Sequence, residues 1–91
     1  MPKYLVERYL PGITGEQLAA AAQSAKTTTA EMTSEGTPVR YLRSTFIPGE
    51  EKCFCLFEGS SEAAVEEANV RAGIPFERVH KAEHIASEDL A

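Results

Sequence analysis

The stretch VRYLRSTFIPGEEKCFCLFE, Val39 to Glu58, decides the fold. It holds two runs rich in β-branched and aromatic residues, separated by Pro48-Gly49-Glu50-Glu51, which has a turn composition. Two strands joined this directly form a β-hairpin. Side chains alternate along a strand, so Val39, Tyr41, Arg43, Thr45 and Ile47 are expected on one side of the first and Leu42 and Phe46 on the other. In the second, Cys53 and Cys55 share a side with Phe57, while Phe54 and Leu56 take the opposite side.

Working outward, the hairpin is preceded by a helix and a strand. Lys3 to Leu10 is rich in β-formers with imperfect alternation, and Pro11-Gly12 stops it. Thr14 reads as a helix N-cap with Gln17 three residues later, a capping box, and Ile13 and Leu18 are placed to form a hydrophobic staple. Leu18, Ala21, Ala22, Ala25, Thr29 and Met32 follow a helical period, although Thr27-Thr28-Thr29 lowers propensity locally. Gly36 and Pro38 close that unit. After the hairpin, Ser60 or Ser61 caps a second helix with Glu62 in its first turn. Ala64, Val65, Ala68 and Ala72 form its apolar stripe, and Gly73 ends it. Arg78 to Ile85 reads as a last strand and residues 86–91 as a flexible tail. The order β-α-β-β-α-β over a single domain, residues 1–91, is that of a ferredoxin-like split βαβ fold. This is an α+β architecture with a four-stranded antiparallel sheet and both helices on one face.

Two helices cover one sheet face only, yet several strands carry apolar residues on both parities. A homodimer packing sheet against sheet, or edge against edge, removes the conflict. The chain is 43% apolar and 25% charged, with a net charge of −5. That excludes disorder and, with no basic cluster, argues against nucleic acid and anionic membranes as partners. No signal-peptide pattern and no apolar run of about 18 residues is present, so a cytoplasmic location is expected, with Cys53 and Cys55 as free thiols.

Few residues carry chemistry. Cys53 and Cys55 share a strand face and suit a soft metal, but cysteine is also a common small core residue. His80 and His84 share a parity, yet stand about 13 Å apart on a straight strand, too far for one ion unless the chain bends. Imidazole suits nickel, zinc and copper. Glu83, Glu7 and Glu58 are candidates for oxygen ligands or for partners that orient an imidazole. An enzymatic alternative of mono-oxygenase or isomerase type would place Glu7 or His80 as a general base, beside Tyr9, Tyr41 or Arg43, in a cleft between sheet and helices. No nucleophile elbow, phosphate-binding glycine loop or HExxH is present. A third alternative is a ligand-free dimeric structural or regulatory protein.

Four blocks carry a resemblance. They are Pro2-Lys-Tyr-Leu-Val-Glu-Arg-Tyr-Leu-Pro-Gly12, Val39-Arg-Tyr-Leu-Arg-Ser44, Cys53-Phe-Cys-Leu-Phe-Glu58 and Ala63-Ala-Val-Glu-Glu-Ala-Asn-Val-Arg-Ala-Gly-Ile-Pro-Phe76. In this order and spacing the chain resembles a family of small bacterial proteins that includes a nickel-binding ferredoxin-like protein of actinobacteria. The resemblance implies a homodimer holding Ni²⁺ (Zn²⁺ or Cu²⁺ being the alternatives) at its surface. His80, His84, Glu83 and Glu7 fit such ligands by residue type. The expected function is metal buffering, storage or sensing rather than catalysis.

Overall fold

The computed structural model describes residues 1–91. Strand β1 (Lys3–Tyr9) is followed by helix α1 (Gly15–Ser34), then by the hairpin strands β2 (Val39–Ile47) and β3 (Lys52–Gly59), helix α2 (Glu62–Ala72) and strand β4 (Arg78–Ala82). The strands form one sheet in the order β2-β3-β1-β4, with every neighbouring pair antiparallel. This is the expected ferredoxin-like arrangement.

Each helix starts where its cap predicts. Thr14 accepts from the Gln17 amide and the Gln17 side chain accepts from the Thr14 amide, the full capping box. Ser61 caps α2 by accepting from the Ala64 amide. Gly73 closes α2 with φ at 72°, a left-handed conformation in which a Cβ would be strained.

The threonine run has a structural purpose that propensity conceals. Strand β2 is a sheet edge, so its outward backbone groups lack a strand partner. Thr29 Oγ1 accepts from the Tyr41 amide at 3.2 Å. Thr33 Oγ1 donates to the Val39 carbonyl at 2.7 Å and accepts from the Val39 amide at 3.2 Å. Two side chains one helical turn apart thus tie α1 to the edge, and the helix runs through the threonines to Ser34.

The core lies between the sheet and the two helices. Tyr4, Val6, Cys53, Cys55 and Phe57 point into it from β1 and β3, and meet Ala25 and Met32 of α1 and Ala64, Val65 and Ala68 of α2. Phe57 is fully buried and meets Tyr41 edge to face, with ring centroids 5.5 Å apart. The helices approach closely enough that a Cβ on Gly59 would come within 3.1 Å of Val65.

Two expectations need correction. The parity of β2 does not run unbroken. Tyr41 pairs with Phe57 and Arg43 with Leu56, which leaves Leu42 as the extra residue of a β-bulge. Val39 and Tyr41 therefore face the helices together with Ser44 and Phe46, while Arg43, Thr45 and Ile47 lie on the opposite, open face. The last strand also ends at Ala82, not Ile85. The chain then turns back across the open face, bringing His84 to Arg43 of β2. This return explains why Leu56, an open-face residue, is only 6% exposed. Glu83 and His84 border the same hollow as Leu5, Phe54 and Leu56. Residues Ser87–Asp89 make one 3₁₀ turn.

Candidate metal centre

The open face carries the histidines. Its registers place Arg43, Leu56, Leu5 and His80 in one row across the four strands. Glu7 of β1 stands opposite Arg78 and diagonal to His80. That diagonal is within reach of long side chains, and Glu7 Oε1 meets His80 Nε2 at 2.9 Å. Arg78 Nε adds a looser contact to the same oxygen at 3.6 Å. The His80 hydrogen bond, supported by the positive charges of Arg78 and Lys52, holds the Glu7 carboxyl below the usual carboxylate range.

The geometry sets which nitrogen of His80 donates. An ionised carboxylate only accepts, so Nε2 carries the shared proton. In the neutral ring Nδ1 then keeps its lone pair. A metal-binding imidazole has this arrangement, one nitrogen tied to a carboxylate and the other free to ligate. The His80 side chain is 43% exposed and Glu7 19% exposed, so the pair is open to a solvated ion.

His84 does not join it. Arg43 Nη2 contacts both its ring nitrogens, at 2.8 Å from Nδ1. A guanidinium only donates, so the imidazole lone pair is engaged. Arg43 and His80 stand at the two ends of the row, three strand spacings or about 14 Å apart at the backbone. Glu83 is exposed on the returning segment beside His84. Glu58 is occupied elsewhere, by Arg40 at 3.1 Å and Lys3 at 3.8 Å. Nowhere do three His, Cys, Asp or Glu side chains converge as a ready metal site. A single chain offers one imidazole with an orienting carboxylate, a nitrogen donor of the kind nickel accepts.

The cysteines lie on the other side of the sheet. Cys53 is 0% and Cys55 5% exposed, and both pack against the helices. They cannot share an ion with His80 of the same chain. Burial, followed by the neighbouring Cys55, pushes the Cys53 thiol up to about 12. The acid–base candidates of the cleft-enzyme alternative lie outside the space between sheet and helices, with Arg43 on their face. Glu7 and His80 face away from the helices, whereas the Tyr41 hydroxyl points to Ser44 on the helix side, at 2.7 Å.

One residue that sequence reasoning passed over is Arg8. It is 2% exposed and sits among the core side chains, with Cys55 Sγ 3.3 Å from its Nε. The signal was its parity: Arg8 continues the inward series Tyr4, Val6 on β1, and it breaks that strand's apolar alternation because a charge occupies a core position.

The model of a family described as "Nickel responsive protein SCO4226-like" matches residues 4–81. Among solved structures, the chain is similar to SCO4226 from Streptomyces coelicolor A3(2). The TM-score is 0.78 at 25% identity, covering 92% of this chain and 99% of that one. No curated protein matches the chain. With the matched segment running from the first strand to the last, the chain belongs to the SCO4226-like family of nickel-responsive proteins.

Proposed function

We propose that this protein binds a divalent transition metal, nickel first, and serves in buffering, storage or sensing of that metal as a homodimer. The observation that carries the reading is the His80–Glu7 pair at 2.9 Å on an open sheet face. His80 Nδ1 is the primary ligand and Glu7 orients the ring. Water, Glu83 and His84, or the same groups of a second copy, complete the coordination. His84 can contribute once Arg43 swings away. Leu5, Phe54 and Ile47 on the same face supply apolar area for the second copy, and a two-fold axis through that face would double the ligand number. The family description supports a response to nickel.

Isothermal titration with Ni²⁺, Zn²⁺ and Cu²⁺ tests the proposal. The wild type is expected to bind Ni²⁺ more tightly than ~0.1 mM. H80A should abolish that binding, and E7Q should weaken it by about 10–100-fold, the usual effect of losing an orienting carboxylate. Binding weaker than ~0.1 mM, or unchanged in H80A, refutes it. Light scattering with and without Ni²⁺ reports the dimer separately.

A further inference from the structure

On the helix side of the sheet, Arg8 and Cys55 form a site that metal binding does not use. Arg8 takes part in none of the chain's ion pairs. Nη2 donates to Asn69 Oδ1 at 2.7 Å, Nη1 to the Pro75 carbonyl at 3.3 Å and Nε to Cys55 Sγ at 3.3 Å. Asn69 is itself 1% exposed and held by donation from Nδ2 to the Val65 carbonyl at 2.8 Å, so its oxygen is fixed toward the guanidinium. A guanidinium does not deprotonate in proteins, and a buried charge without a counter-charge is costly. The one acid touching Arg8 is the Cys55 thiol.

Cys55 collects further polar contacts. Ser44 Oγ lies 3.0 Å from its sulfur and Tyr41 Oη lies 2.7 Å from Ser44. Tyr41 and Ser44 are half-buried, so the chain Tyr41–Ser44–Cys55 runs from near the surface to the sulfur. A narrow cleft between α1 and β2, bordered by Leu18, Ala21, Tyr41 and Ser44, reaches both cysteines, with free space of about 10 Å³. That is close to the room one water needs. Cys53 Sγ is 3.8 Å from Cys55 Sγ.

We propose that Cys55 is a redox modification site, oxidised by hydrogen peroxide to a sulfenic acid with Arg8 as its positioning residue. The thiolate is the nucleophile, and Arg8 Nε, 3.3 Å from the sulfur, is placed to donate to it as it attacks. The sulfur attacks one peroxide oxygen, an S–O bond forms and the O–O bond breaks. Sulfur loses two electrons and the peroxide gains them. The departing hydroxide takes a proton through Ser44 and Tyr41 and leaves as water. Arg8 Nε and Ser44 Oγ, 3.3 and 3.0 Å from the sulfur, flank the reacting atom. The narrow cleft selects for the smallest oxidants and excludes a bulky disulfide such as glutathione. A cation is disfavoured because Arg8 already faces the sulfur. Burial holds Cys53 in its thiol form, so Cys55 is the sulfur that reacts first.

The test compares C53S protein, folded and in denaturant, exposed to hydrogen peroxide at neutral pH. Peroxide is removed with catalase, the chain is unfolded in dimedone, and peptide mass mapping locates the adduct. The expected result is sulfenic acid at Cys55 forming about tenfold or more faster in the folded protein than in the unfolded chain. In the wild type, gain of one oxygen at Cys55, or loss of two hydrogens through condensation with Cys53, agrees with it. Slower oxidation in the folded protein overturns the proposal, because folding then only shields the sulfur. An R8M variant with native circular dichroism should lose the acceleration, and one that keeps it removes Arg8 from the argument.

Discussion

Phe54 and Phe57 stand three residues apart on β3 and face opposite ways, so truncating each tests the fold and the proposed dimer together. Phe57 is 0% exposed and packs edge to face on Tyr41. Phe57→Ala should cost about 3–5 kcal/mol, of which the aromatic pair accounts for about 0.5–1.5. A chain of 91 residues has a total stability of about 5–14 kcal/mol, so this is a large fraction of it. At a urea slope of about 1–3 kcal/mol per molar, the unfolding midpoint falls by at least about 1 M. Phe54 is half-buried on the open face beside Leu5 and Leu56, and Phe54→Ala should cost the isolated chain less than half as much. In a sheet-to-sheet dimer, a tenfold rise in protein concentration adds about 1.4 kcal/mol to the wild type and to F57A, and this increment shrinks in F54A. The assay is urea unfolding followed by circular dichroism at two protein concentrations. A cost for F54A equal to or above that for F57A at the lower concentration would refute the assignment of faces. A wild-type midpoint independent of concentration would refute the dimer.

Three other outcomes are expected. Glu7 is held below its ordinary value, so its contribution to stability is present above the unfolded carboxylate value near ~4.3 and is lost as pH falls through the lower folded value. Thermal unfolding of E7Q should therefore differ from wild type at pH 5 and above and converge with it at lower pH. A gap that persists to pH 2 contradicts the assignment. Gly73→Ala forces a Cβ into a left-handed C-cap at φ 72° and should destabilise the fold by about 1–2 kcal/mol, read from the urea midpoint. C53A/C55A should leave nickel affinity within about twofold of wild type while lowering stability, because both sulfurs pack on the side of the sheet away from His80. Loss of nickel binding in that variant would transfer the site to the thiols.

Local information in the sequence was enough for the element order, the helix caps and the hairpin. Thr14 with Gln17, Ser61 and Gly73 act on atoms within a few residues of themselves, so their roles do not depend on the rest of the molecule. The shared parity of Cys53, Cys55 and Phe57 was legible for the same reason, but that the helices bury this side was not. Three features depended on tertiary structure. The bulge at Leu42 reverses the parity of β2 beyond it, and nothing local marks it, since Tyr41-Leu42-Arg43 is acceptable strand sequence in either register. The turn after Ala82 separates His80 from His84 by folding the chain back onto a sheet face that only the assembled strands provide. The pairing of His80 with Glu7, and of Arg8 with Cys55, joins residues 73 and 47 positions apart. Residue types nominated the ligands, but the sheet register decided which of them meet. A carboxylate turned His80 into an oriented ligand, while a guanidinium engaged His84, because each side chain's chemistry is set by the neighbour that folding places within hydrogen-bonding distance.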